Sequence, residues 1–237
     1  MEHPHWTPKQ LKALQADLES ASPRAILQWS YETFGDDVVM ATGFGTSGIV
    51  LTHILSELRP GSDVFYLDTD LLFPETYALR DQLASQLDIH FVRVHGGLSV
   101  ADQDAEHGPA LWERNANQCC FLRKVLPLRS FLQGREAWIT GIRRDQARTR
   151  ARASVVDWDP ANQLIKINPL AYWTSEDVWS YIRLNELPYN TLHDRGYPSI
   201  GCMPCTRAVG AGEHERSGRW AGLDKVECGI HLNTQAA

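Results

Sequence analysis

The chain has 237 residues, 43% hydrophobic and 22% charged, with 23 lysines and arginines against 29 aspartates and glutamates, for a formal net charge of -6. That size supports one substantial core, and the acidic balance argues against general nucleic-acid binding. The opening MEHPHWTPKQ lacks the apolar stretch of a signal peptide, and no run approaches the roughly 18 apolar residues of a membrane span, so a cytoplasmic protein with no membrane partner is expected.

Thr7-Pro8 before KQLKALQADLES and Ser22-Pro23 before RAILQWSYETF each place a cap and a first-turn proline ahead of an apolar period near 3.6, predicting two opening helices. VVMATGF then predicts a strand running into the loop Thr42-Gly43-Phe44-Gly45-Thr46-Ser47-Gly48, followed by the helix IVLTHILSEL. A glycine-rich turn at a helix N-terminus suits an anion, because unpaired N–H groups converge there. No Gly-Lys-Ser/Thr follows, so it is not a Walker loop, and tight packing alone is the competing reading.

VFYLDTD predicts a second strand and FPETYALRDQLASQL a helix. Asp68 falls at that strand's carboxyl end, where open α/β sheets place their ligand crevice, or else it serves as a turn acceptor. IHFVRV predicts a third strand, and the polar GGLSVADQDAEHG a short helix. In the segment from Asn117 to Leu132, Lys124 stands four positions after Cys120, which on a helix is the same face. AWITGI and LIKINPL predict further strands, Thr174 to Asp177 caps the helix DVWSYIRLNEL, and PYNTLHDRGYPSIG reads as loop. One α/β domain, a mostly parallel Rossmann-like sheet flanked by helices, is expected over residues 1–207. Residues 208–237 are expected to form a mobile arginine-containing segment and tail. Basic residues gather at Arg143 to Arg152 and Arg207 to Arg219, which in an acidic chain suggests a small anionic ligand.

Five cysteines remain: the tandem pair Cys119-Cys120, the spaced pair Cys202 and Cys205, and a lone Cys228. In a reducing compartment, structural disulfides are disfavoured and clustered cysteines point to metal or redox chemistry. Adjacent cysteines are also poorly spaced for a disulfide. Half of a zinc site is conceivable from Cys-x-x-Cys, but two adjacent thiolates wrap one tetrahedral ion with strain, whereas a 4Fe-4S cube offers each thiolate its own iron. Buried or merely redox-sensitive thiols are the third reading.

The order Cys-Cys, then 81 intervening residues, then Cys-Met-Pro-Cys-Thr-Arg, then Glu-Cys-Gly-Ile-His resembles the assimilatory adenylyl-sulfate (APS) reductases, the iron-sulfur branch of the sulfonucleotide reductases. The resemblance runs from about Asp37 to His231 and implies an adenine-nucleotide alpha-hydrolase-like fold. It implies that Cys119, Cys120, Cys202 and Cys205 hold a 4Fe-4S cluster and that Cys228 is the nucleophile, with His231 positioning or transferring a proton. For substrate it implies Thr42, Gly43, Phe44 and Gly45 at the phosphate-sulfate portion. Leu67, Asp68 and Thr69 would lie on the adenosine side, Gly141 where a nucleotide approaches the backbone closely, and Lys124, Arg150 (rather than Arg148), Arg216 and Arg219 on the oxyanions. Two departures stand out: Ser47 and Gly48 replace residues often acidic in the family, and Asp70 replaces the glycine of Leu-Asp-Thr-Gly.

The implied activity is reduction of APS to sulfite and AMP through an S-sulfocysteine on Cys228, with thioredoxin or a similar dithiol protein as reductant. A homo-oligomer is left open. Two alternatives stand beside it: a reductase that takes the 3'-phosphorylated nucleotide (PAPS) or both nucleotides, and an iron-sulfur sensor that binds a nucleotide without turning it over.

Overall fold

Runs of alternating and continuous apolar residues pair into one six-stranded sheet in the computed structural model, which describes residues 6–210 and 212–231. The strands are β1 (Val38–Ala41), β2 (Ser62–Leu67), β3 (Ile89–Val94), β4 (Ala137–Ile139), β5 (Val156–Asp159) and β6 (Leu164–Ile167). Their order is β3-β2-β1-β4-β6-β5. All neighbours run parallel except β5, which lies antiparallel on β6 at the edge. The mostly parallel α/β expectation holds. The strand β5 was not anticipated, because VDWD carries two aspartates and no apolar run.

The two faces of the sheet are covered differently. On one, Met40, Val64, Ile139, Ile165 and Ile167 meet helices α1 (Pro8–Leu18), α2 (Pro23–Phe34), α3 (Thr46–Leu58), α4 (Pro74–Gln86) and α9 (Ser175–Leu184) in a single apolar cluster. The opening helices start as expected: Thr7 forms a capping box with Gln10, and Ser22 accepts from the Ala25 N–H. On the other face, Phe65, Val94, Trp138 and Leu164 pack under helix α8 (Leu126–Leu132) and under Ile230 of the tail.

Between β3 and α8 the chain forms α5 (Val100–His107), α6 (Leu111–Arg114) and α7 (Ala116–Cys120). From Phe121 to Val125 the helix widens into a π turn. That corrects the expectation that Lys124 lies one α-helical repeat after Cys120, since a π turn carries an extra residue and shifts the phase. The glycine loop is also shorter than expected, because α3 already begins at Thr46 with Gly45 as its cap.

With β1 flanked by β2 on one side and β4 on the other, connections leave in opposite directions from β1, and the crevice of such a sheet opens at the carboxyl ends of the two strands there. Among the described residues no helix is long and apolar enough to cross a membrane. The first five residues lie outside the described residues, as do residues 211 and 232–237 of the expected tail segment.

Candidate active site

The carboxyl ends of β1 and β4 meet in a cavity of about 230 Å³ lined by Gly43, Gly45, Gly141, Arg150, Arg216, Arg219 and His231, among others. Phe44 adopts φ 56° and turns its ring into the core, 5.2 Å from each of the rings of Tyr66 and Phe91, which leaves loop backbone facing the cavity. Gly141 packs against the start of α3: a Cβ there would lie 3.1 Å from the Ser47 Cβ and 3.3 Å from the Gly48 nitrogen. Arg143 pins the same turn by donating Nη1 to Ser47 Oγ at 2.6 Å. Glycine at position 141 thus lets two strand ends close on one site.

The four paired cysteines come together from two directions. Cys119 and Cys120 sit on α7, and Cys202 is tied in by a bridge to Leu72 and by the Met203 N–H donating to Leu71 O at 2.7 Å. Cys119 and Cys202 pack with Leu71 and Leu111, and Cys205 lies partly buried against them. Cys120 packs with Trp220, and the tail thiol Cys228 adjoins it. Burial, then the neighbouring thiols Cys120, Cys202 and Cys205, pushes Cys119 up to about 12, and burial with Cys202 and Cys120 pushes Cys205 up to about 11. Cys202 is the exception: burial opposes its ionisation, but the Lys124 charge, a Thr69 hydrogen bond and Arg219 outweigh that and lower its pKa.

Each of these thiols feels the others, and the set is all sulfur, which suits a soft iron-sulfur group. Among the described residues no three His, Cys, Asp or Glu side chains are drawn together tightly enough for a single metal ion. Sulfurs that adjoin without converging on one point are compatible with a cluster, where each thiolate faces a separate iron. Thiols raised in pKa by burial and then by neighbouring thiols, as Cys119 and Cys205 are, also gain most from a cation that neutralises them.

The tail returns along this surface. Thr206 bridges Arg219, Arg207 N–H donates to Gly218 O at 2.9 Å, and Trp220 N–H donates to Cys205 O at 3.0 Å. Trp220 is 3% exposed and carries three cations on its ring: Arg219 at 4.6 Å, Lys225 at 5.3 Å and Arg216 at 5.9 Å from the centroid. Arg219 lies across Gly201, where any Cβ would collide with its guanidinium. Burial pulls Arg216 down to about 10, so it remains cationic at neutral pH. His231 stacks on Trp138 with centroids 5.6 Å apart and planes at 20°. Its Nδ1 is buried with no hydrogen-bond partner among the described residues, while the residue also lines the cavity. Burial, then Lys166, Arg150 and Arg216, holds His231 well below the usual histidine range, so its imidazole is neutral.

Residues 37–208 match the family described as phosphoadenosine phosphosulfate reductase domain. The chain belongs to this family. An adenosine 5'-phosphosulfate reductase of Salinibacter ruber is 54% identical over 231 residues, covering 97% of this chain and 92% of that protein. One of Oceanobacillus iheyensis is 46% identical over 220 residues, covering 92% of this chain and 91% of its own. A phosphoadenylyl-sulfate reductase structure from Candida auris, 33% identical, superposes with a TM-score of 0.73 over 84% of this chain and 96% of that one. An FMN adenylyltransferase of Candida glabrata shares the fold alone, at 15% identity and TM-score 0.56.

The sequence-derived residues are placed as follows. Gly43, Gly45, Gly141, Arg150, Arg216, Arg219 and His231 share the cavity. Lys124 sits among the thiols, where burial opposes its charge but Cys202, Cys228 and Cys120 outweigh that and raise its pKa. Asp68 is 4% exposed and already engaged: it accepts from Tyr77 Oη at 2.7 Å, Arg93 Nε at 2.6 Å and the Asp70 N–H at 3.0 Å. Thr69 Oγ1 lies 3.2 Å from Cys202 Sγ, and Leu67 ends β2 beside it. Thr42 Oγ1 accepts from the Phe44 N–H at 3.1 Å, a loop-shaping role.

Several residues escaped the sequence reading. Gln146 bridges the Arg143 N–H and Arg150 Nη1 through its Oε1. Glu227, Trp138, Lys166 and Trp220 hold the tail or its cations. Two carried a signal: Gln146 closes the Gly-x-Arg-x-x-Gln stretch that begins at Gly141, and Glu227 stands beside Cys228 in the Glu-Cys-Gly motif.

Proposed function

We propose that this enzyme reduces adenosine 5'-phosphosulfate to sulfite and AMP. The observation that carries the reading is the separation of the sulfurs: four paired thiols adjoin one another, and the fifth, Cys228, adjoins Cys120 from a separate segment whose His231 lines a cavity with three arginines. Near full-length similarity to proteins named adenosine 5'-phosphosulfate reductase supports it.

The Cys228 thiolate attacks the sulfate sulfur. An S–S bond forms, the S–O bond to the phosphate breaks, and AMP leaves with that electron pair, giving S-sulfocysteine. Lys124, Arg150, Arg216 and Arg219 neutralise the sulfate and phosphate oxygens, and the rigid guanidinium forks set their geometry. His231, kept neutral by burial and then by Lys166, Arg150 and Arg216, is suited to positioning the tail rather than to taking the Cys228 proton, because the same surroundings lower its basicity. A thiolate of thioredoxin or a similar dithiol protein then attacks Cys228 Sγ, and sulfite departs with the S–S electron pair. The partner's second thiol resolves the mixed disulfide and supplies the balance of two electrons. Cys119, Cys120, Cys202 and Cys205 would hold a 4Fe-4S cluster, which supplies a compact positive charge balance among the thiolates beside the oxyanion site. Residues 1–207 form the binding domain in this reading, and residues 208–237 carry the clamp and nucleophile and move between substrate and reductant.

The deciding experiment is an anaerobic assay of the purified protein with APS, PAPS and reduced thioredoxin. Sulfite and AMP from APS are expected; turnover of PAPS alone would move the assignment to the phosphorylated nucleotide. Nucleotide binding without sulfite would make the protein a sensor.

A further inference from the structure

Glu227, the residue before Cys228, is bound more tightly than a tail residue needs to be. Its side chain is 2% exposed, and its carboxylate accepts from Arg150 Nε and Nη2, both at 2.8 Å, from Thr149 Oγ1 at 3.0 Å and from Arg216 Nη2 at 3.2 Å. Arg216 Nη2 also donates to Val226 O at 3.0 Å, so the same guanidinium grips the tail backbone. These contacts join the tail to a turn 77 residues earlier in the chain.

Both arginines also line the cavity at the ends of β1 and β4. Each guanidinium carries five N–H donors. Glu227 and Gln146 engage Arg150 through Nε and one hydrogen on each of its other nitrogens, while Arg216 commits only Nη2. Donors therefore remain on both for an oxyanion while the carboxylate stays in place. Three residues beyond Cys228, His231 rests on Trp138, which gives the tail a second hold on the far side of the thiol.

We propose that Glu227 is the positioning residue of the nucleophile: by bridging Arg150 and Arg216 it ties the tail to the cations that face the cavity, and so sets where Cys228 stands relative to a bound sulfate group. A charged carboxylate suits this task because bonds to two arginines are charge-assisted and bidentate on one of them, which fixes direction as well as distance. Burial opposes ionisation of Glu227, but the hydrogen bonds and charge of Arg150, then the charge of Arg216, outweigh it and keep the group a carboxylate at neutral pH. The proposal rests on Cys228 being the nucleophile, as argued above.

The test uses the full chain with its iron content verified. Glu227→Gln keeps the size of the side chain and removes its charge. Alkylation of Cys228 by iodoacetamide, read by mass on the tail peptide, is expected to run on the order of tenfold to a hundredfold faster than in the unaltered protein, the range spanned by losing a charged hydrogen bond. Glu227→Asp should recover part of the protection. The kcat for APS should fall at least about tenfold while AMP affinity and KM stay within about threefold, because the loss falls on placing the nucleophile rather than on binding. An unchanged alkylation rate overturns the proposal, and so does a loss of AMP affinity equal to the loss of kcat, which would make Glu227 a support for the arginines alone. Should Glu227→Gln fail to fold, Thr149→Val decides: a rise of about tenfold in alkylation is expected from losing one hydrogen bond to the carboxylate, and none overturns the proposal. Alkylation needs no nucleotide. If the unaltered protein makes no sulfite yet Glu227→Gln exposes the thiol, the assigned reaction falls and the docking role stands.

Discussion

The two faces of the sheet bury their strands by different means. Against α2, α3 and α9, the side chains of Met40, Ile139 and Ile167 are fully enclosed by other apolar groups. On the opposite face at β4 and β6, the cover is shared between α8 and Ile230 and His231 of the tail, and polar groups lie beneath the tail. Lys166 is 6% exposed with its Nζ 5.1 Å from the centre of the Trp138 ring, and Trp138 Nε1 donates to Asp159 Oδ2 at 3.1 Å. Burial pulls Lys166 down to about 8. An apolar seam holds a permanent element, whereas a seam with charges and a flat aromatic platform gives a cover direction without making it permanent. The difference separates what builds the fold from what presents the thiol.

The sharpest way to break this comparison is Cys228→Ser. Sulfite formation should vanish while iron content and melting temperature stay as in the unaltered protein; a lost chromophore would erase the distinction between the tail thiol and the paired ones. Next, Cys202→Ser should remove iron and activity together, since Cys202 is 6% exposed and bridged to Leu72. Retained activity without iron would contradict the ligand assignment.

The third test weighs the two faces directly. Ile139→Ala should cost about 3 kcal/mol of stability, as expected for a fully buried aliphatic side chain. Ile230→Ala should cost under about 1 kcal/mol, because it is only partly buried, yet expose Cys228 to alkylation. Equal losses in chemical denaturation would mean that the tail is as structural as the strands.

The smallest expected effect is a pH dependence. A released tail histidine titrates near about 6.5, whereas the docked His231 is held well below that by burial, then by Lys166, Arg150 and Arg216. The docked tail therefore binds fewer protons than the released one in the window below about 6.5, so docking is at full strength above that value and weakens as the pH falls. Between pH 7.5 and 5.5, exposure of Cys228 to a dipyridyl disulfide, corrected for thiolate fraction, should rise about tenfold. Glu227 stays ionised throughout, its pKa lowered by Arg150 and Arg216 against the effect of burial. His231→Asn should flatten the profile.

Much of this arrangement was legible from local pattern. Period-two and β-branched runs marked five of the six strands, and the Thr7, Ser22 and Thr174 caps marked three helix starts. The acidic edge strand β5 was not, because it is held by pairing with β6 and by Gln15 Nε2 donating to Val156 O at 2.8 Å rather than by its own apolar content. At the site, the glycines and arginines were legible because each sits in a motif. The platform was not: Trp138 read as one apolar residue in a strand, and nothing local says that a histidine 93 positions later will stack on it. Glu227 was visible in its motif, but its partners come from distant turns, and ion pairs of that separation leave no trace in spacing.

The π turn from Phe121 to Val125 carries a further consequence. Upstream it presents Cys119 and Cys120 to the sulfur-lined hollow, and downstream α8 presents Leu128 and Leu132 to the sheet. Removing one residue there would restore an ordinary coil and leave α7 and α8 at nearly the same bearings, because the wider turn takes up its extra residue within itself. The thiols and the leucines would then both still face inward, so the spare residue acts locally, setting Arg123 and Lys124 off the bearings that an α-helix would give them.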